Sequence, residues 1–250
     1  MKVHNHPDTH LKPSKWKDYI LQFVMIFLAV SMGFLAENFR QYLTERSKEK
    51  QYIESMVRNV KEDISSLHNV IKSDSIQAKG LDSLLRLSHS NMANDSVRRL
   101  FYYHVTHWCY SASVFKGSDA TFQQLKSTGD YRLIEKDHVA DSLAKYDSQI
   151  SSIYGQGDYY ETYFKDILNR IDELVDETVL GDTSFIKSTR TLHKPFPPLR
   201  IEDGKLPTFF NKIFIMKMIT DSYVKNNLEP QLERSKRLLA LLKDKYHIVD

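Results

Sequence analysis

Histidine, cysteine and carboxylate residues recur in this chain at spacings that metal chemistry uses. Glu135 and His138 stand three apart, as do Asp244 and His247. On a helix, that i, i+3 pair is half of the arrangement that holds two metal ions inside a bundle. The other half is a further pair of bridging carboxylates facing the core. Glu173 and Glu177 are the available carboxylates, yet they fall off the apolar seam of their segment. Exposed helix-end residues are therefore the better reading of both pairs. His104, His107 and Cys109 form a looser group with a single thiol. His104 lies on an apolar stripe beside Trp108, the pattern of a hydrogen-bonded core histidine. His4, His6 and His10 sit in a polar N-terminal tract of the kind that binds transition metals weakly.

Other chemistries have less support. A G-x-S-x-G nucleophile elbow is absent, and Cys109 has no recognisable activating neighbour. Gly155-x-Gly157 lacks the preceding strand that a phosphate-binding loop requires. The expectation is a protein without catalytic residues, resident metal or cofactor. Net charge is only +3, and Lys and Glu alternate without a basic stripe, so nucleic acid is not an expected partner. One cysteine excludes an intrachain disulfide.

The elements that position these residues begin with an uncharged run. Tyr19–Ala36 reads YILQFVMIFLAVSMGFLA, with Gln22 and Ser31 as its strongly polar breaks. As a helix, these residues reach about 27 Å, close to the hydrocarbon thickness of a bilayer. A secretory signal has a shorter apolar core and a small-residue cleavage site, whereas Glu37, Asn38 and Phe39 follow here. A buried soluble helix carries a polar stripe, which this run lacks. The reading is a transmembrane helix over 16–40, with the lipid bilayer as partner of Tyr19–Ala36. Trp16 and Tyr19 suit the headgroup layer at its start, and Phe39 and Tyr42 at its end. Lys12, Lys15 and Lys17 flank one side, and Arg40, Arg46, Lys48 and Lys50 the other, so the positive-inside count is near a tie. The short lysine-bearing tail, residues 1–15, favours a disordered cytoplasmic N-terminus with the remainder outside.

Mean hydropathy is −0.45 despite the apolar run, so residues 41–250 read as a polar, water-exposed body. Eight glycines and seven prolines argue against a turn-rich β fold. Ile53, Val57, Val60, Ile64, Leu67 and Ile71 step 4, 3, 4, 3, 4 along a predicted helix of about 41–78, with Glu54, Arg58, Lys61, Glu62 and Asp63 off the seam. Gly80 is expected to separate it from a brief helix at 81–88. Short helices follow at 95–112, capped by Asp95, and at 119–128, closed by Gly129 in a left-handed conformation. From Val139 through Leu143, Tyr146, Ile150, Ile153, Gly157, Tyr160, Phe164, Ile167 and Ile171 to Leu174 the same stepping predicts a long helix over 136–179. Gly155 and Gly157 within it mark a close crossing, a bend or a break. Residues 181–207, with Pro195, Pro197 and Pro198, read as a surface linker of extended geometry. A last helix at 208–246 carries Leu228, Leu232, Ser235, Leu239, Leu242 and Tyr246, with a kink or fresh start near Pro230. The expected fold is all-α: one transmembrane helix continuing into an elongated antiparallel helical bundle with coiled-coil-like seams.

Two stretches resemble a known family. QFVMIFLAVSMGFLAENFRQYLTERSKEKQYIESMVRNVKEDI is similar to the N-terminal signature of an uncharacterised family of bacterial single-pass membrane proteins, frequent in Bacteroidota. Asn38-Phe39 stands at the end of the span and Glu45-Arg46 at the charged start. ATFQQLKSTGDYRLIEKDHVADSLAKYDSQI resembles that family's central segment, through Phe122, Gln124, Leu125, Lys126, Ser127, Gly129, Leu133 and Ile134. The resemblance implies an inner-membrane anchor with a helical extramembrane domain, and no assigned activity. It directs attention to Phe122, Gln124, Leu125, Lys126, Gly129 and Arg132, either as an anion or partner site through Lys126 and Arg132 or as a folded corner over the bundle. The function these readings imply is a membrane-anchored scaffold or interaction protein of the bacterial envelope, with a protein partner or a second copy of itself. The alternatives are a periplasmic sensor module signalling through a partner, and a helical metalloprotein.

Overall fold

A computed structural model describes residues 15–110, 112–136, 138–181, 196–201 and 204–248. The tail at 1–14, with its three histidines, and most of the linker at 182–195 lie outside the described residues. Every regular element among the described residues is helical. Helix α1 is Lys15–Leu85, α2 Asp95–Trp108, α3 Ala120–Thr128 and α4 Val139–Leu174; short 3-10 turns occupy Asp130–Leu133 and Glu177–Gly181. Helix α5 is Lys205–Ser222, followed by a π-helical turn at Tyr223–Leu228 and by α6 at Glu229–Tyr246. The chain divides into two units, Met1–Gln51 and Tyr52–Asp250.

In the first unit, the apolar stretch of α1 carries its side chains uncovered. Phe23, Phe27, Phe34 and Leu35 are each more than half exposed, and no residue of the most apolar window is buried. This is a helix long and apolar enough to cross a membrane. Beyond it the surface turns charged. Arg40 pairs with Glu37 at 2.6 Å and Arg46 with Glu49 at 2.7 Å.

In the second unit, two apolar clusters fill the interior. In the first, Ile53, Met56, Val60 and Leu67 of α1 meet Phe122 and Leu125 of α3, Leu143 and Ile150 of α4, and Leu238 and Leu242 of α6. In the second, Leu81 and Leu84 of α1 meet Phe101 and Val105 of α2, Ile167 and Ile171 of α4, and Phe209, Ile213 and Met216 of α5. Helix α4 runs through both. Its predicted seam is buried from Val139 to Leu174, except for Phe164, which is partly buried.

Several expected boundaries are corrected. Gly80 does not end the first long helix; α1 continues to Leu85, and the brief helix expected at 81–88 is its last turn. A Cβ at residue 80 would lie 2.2 Å from the Trp108 ring, so this glycine serves close packing of α2 rather than a stop. Asp63, assigned off the seam, is 1% exposed, because α1 buries a broader face than one heptad stripe. Asn94, rather than Asp95, caps α2: its side chain accepts from the Ser96 N–H. Asp95, in the first turn, instead binds Arg98 and Arg99 and accepts the Phe196 N–H.

That bond brings part of the linker inside. Phe196 and Leu199 are buried, with Arg99 over the Phe196 ring. Phe196 and Leu199 thus pin this part of the linker to the body, while Pro198, Arg200 and Ile201 stay on the surface as expected. Helix α4 runs unbroken through Gly155 and Gly157. A Cβ on Gly157 would sit 2.7 Å from Val114 Cγ1, whereas Gly155 faces open space. The close crossing therefore belongs to Gly157 alone. Near Pro230, helical conformation continues. A residue without an N–H breaks the regular bonding ladder one turn earlier, and the π turn at Tyr223–Leu228 lies there.

Candidate functional site

The corner singled out by sequence folds tightly. Helix α3 ends at Gly129, whose φ of 69° is left-handed and whose N–H reaches the Leu125 and Lys126 carbonyls. The Asp130–Leu133 turn follows, and its first residue accepts the Tyr52 hydroxyl at 2.7 Å. Phe122 and Leu125 are fully buried, with Phe122 stacked on Tyr146 of α4 at 5.8 Å. Gln124 is exposed, and its carbonyl accepts the Ser127 and Thr128 hydroxyls. Leu133 and Ile134 are buried, and Arg132 is exposed. Lys126 is ion-paired with Asp147 of α4. Its charge is thus met within the protein, and Lys126 and Arg132 do not form an open pair of cations.

The polar chemistry that sequence reasoning missed lies inside the second unit. Asp63 is buried, and it accepts the Ser118 N–H and the Tyr146 hydroxyl, both at 2.7 Å. Burial raises its pKa, and these two hydrogen bonds oppose the rise. The Tyr146 hydroxyl also lies 3.3 Å from Ser235 of α6. Burial foremost, and the Asp63 charge next, hold that phenol in its neutral form.

Further along α1, Gln77 donates to the Trp108 carbonyl and accepts the Tyr160 hydroxyl, each at 2.9 Å. Thr220 of α5 reaches the same tyrosine, and Tyr223 accepts the Phe115 N–H. Between these layers sits Asp74. It is 0% exposed, and neither carboxyl oxygen has a hydrogen-bond partner. Desolvation alone pushes its pKa up to about 7. A carboxyl so placed is held largely protonated in mildly acidic solution. Tyr160 and Tyr223 feel its charge from α4 and the π turn.

Asp74 was findable. The α1 seam at Leu67 and Ile71 continues by steps of 3 and 4 to residues 74 and 78, and Ala78 is buried as well. An aspartate at an inward seam position is the signal. Gln77, one step off the seam, left none.

The metal candidates are distributed differently. Glu135 and His138 are exposed, and His138 takes a left-handed φ of 64° at the start of α4. Asp244 and His247 are exposed, and His247 closes α6 with φ 52°. Glu173 pairs with Arg170, and Glu177 accepts the Tyr110 hydroxyl. Cys109 is buried, which raises its thiol pKa and leaves it unreactive. His104 accepts the Trp108 indole N–H at its Nδ1, 3.2 Å away, and burial followed by the neighbouring His107 lowers its pKa. The His107 Nδ1 lies 2.8 Å from the Tyr103 carbonyl. Among the described residues, no group of three or more His, Cys, Asp or Glu side chains converges on a point a metal ion could occupy.

The described residues thus define an all-α protein with one candidate membrane-spanning helix. No family model, curated protein or solved structure matches the chain.

Proposed function

We propose that this protein is a membrane-anchored helical scaffold, or protein-interaction component, of the bacterial cell envelope. Residues 19–36 hold it in the inner membrane, the N-terminus is cytoplasmic, and the helical body is periplasmic. It performs no catalysis. The observation that carries the reading is the uncovered stretch of α1, whose large apolar side chains have no protein against them. Water makes such a surface costly, and lipid removes the cost. The resemblance of the anchor and of the α3 corner to a single-pass membrane family agrees with it.

The interaction role has separate support. Helix α5 is apolar on nearly all sides. It buries Phe209, Phe210, Ile213 and Met216, yet leaves Phe214, Ile215 and Met218 40–55% exposed. Exposed aromatic and methionine side chains are characteristic of interface cores. Affinity purification of the full-length protein in mild detergent, with mass spectrometry and light scattering, tests this role. A stoichiometric partner or a defined oligomer is the expected result, and a lone monomer under all conditions contradicts it.

A second reading, a sensor module that signals through a partner, draws on Asp74. An unpaired buried carboxyl destabilises the resting packing, and functional sites keep such groups. Such a module would signal through a partner protein.

A further inference from the structure

On the side of α4 facing α6, a cleft of about 460 Å3 opens beside the Asp63–Tyr146 network. Its floor is apolar, formed by the Tyr146 ring and Leu238, both 5% exposed or less. Its walls are cationic: Lys145 comes from α4, and Arg234 and Arg237 from α6. Arg234 is half-buried and fixed by a 2.9 Å hydrogen bond to the Gln149 side-chain oxygen, which leaves the Gln149 amide nitrogen as a donor.

The neighbouring carboxylates make their closest pairs elsewhere, although the Glu233 charge also reaches Arg237. Asp147 serves Lys126, and Glu233 serves Lys236 at 2.8 Å. Among the described residues, none forms an ion pair with Lys145, Arg234 or Arg237. Like charges held together on two helices repel one another. That repulsion is relieved when an anion enters, and guanidinium groups match the oxygens of phosphate in number and direction. A bare surface cluster would be content with water. Here the charges rim a concave apolar floor of ligand-site dimensions.

The geometry points to a binding site for a phosphate ester, its oxyanion among Lys145, Arg234 and Arg237 and its organic part on the Tyr146–Leu238 floor. This inference is independent of the scaffold reading. Its three cations are distinct from the pair Lys126 and Arg132 at the α3 corner.

The test uses full-length protein in neutral detergent at low salt, titrated calorimetrically with phenyl phosphate, inorganic phosphate and phenol. Phenyl phosphate is expected to bind saturably at one site, about tenfold more tightly than inorganic phosphate, and to weaken as salt is added. The double substitution Arg234→Gln and Arg237→Gln is expected to lower affinity about tenfold or more, with Lys145→Gln giving a smaller loss from the opposite wall. Lys165→Gln, an exposed position about five turns further along α4, should leave binding unchanged. Absence of saturable binding overturns the assignment. So does equal affinity in a double variant, or in Lys145→Gln, whose melting temperature matches the parent. Competition by short-chain phosphatidylglycerol identifies a lipid headgroup as the source of the phosphate. Binding without that competition identifies a soluble phosphate ester.

Discussion

Helix α4 and the second half of α1 repeat the same alternation of 4 and 3, but they fill it differently. Along α4, the seam is Val, Leu, Ile and Tyr, with Gly157 where another segment comes close. Along α1, the seam passes through Asp74 before resuming at Ala78 and Leu81. Spacing decides which way a side chain points, and residue type decides whether pointing inward stabilises. On α4 the two agree. On α1 they conflict at one position, and a conflict that a protein retains is a place to look for function.

Cutting into the α4 seam should have the strongest consequence. Ile167→Ala, at a fully packed position, should cost about 3 kcal/mol in urea unfolding of the full-length protein in detergent. A loss below about 0.5 kcal/mol would mean the seam is not a packed core.

Asp74→Asn should act in the opposite direction. The folded-state pKa of about 7 lies above the unfolded value, so the folded protein binds the extra proton between them. The parent protein's stability should therefore fall as pH rises from about 4 through 7, and level off above. At pH 8 the asparagine variant should be more stable by about 3 kcal/mol, and near pH 4 the two should match within about 0.5 kcal/mol. Melting curves at both values check this, and a variant destabilised at pH 8 would show that Asp74 is paired when folded.

The smallest effects sharpen the glycine contrast. Gly157→Ala should cost about 1 kcal/mol through the Val114 contact, whereas Gly155→Ala, facing open space within a helix, should gain up to about 1 kcal/mol. Equal shifts of one sign would remove the distinction drawn between them.

How much was legible follows from the same physics. The apolar run and the α4 seam were readable because every residue repeats one message. The all-α class was readable from the same periodicities and the scarcity of turn residues. The end of α1 was misread because Gly80 looks like a terminator. Only Trp108, distant in sequence, reveals it as a packing contact. Phe196 and Leu199 were placed on the surface because prolines surround them, and their burial depends on Asp95 and Arg99 in another helix. At the corner, Gly129 was legible from its place after TFQQLKST, but the Lys126–Asp147 pair was not, since it joins two elements. The cationic cleft was invisible for the same reason: only tertiary packing brings Lys145 and Arg234 to the same cleft.

Anchoring of the chain in a lipid bilayer by Tyr19–Ala36 is the proposal on which the envelope role rests. Alkaline carbonate extraction of membranes from cells expressing the full-length protein tests it most directly, with a parallel variant carrying Phe27→Lys and Val30→Lys. The unsubstituted protein should remain in the membrane pellet through the extraction, and the double lysine variant should pass to the supernatant. Full release of the unsubstituted protein into the soluble fraction would contradict the claim.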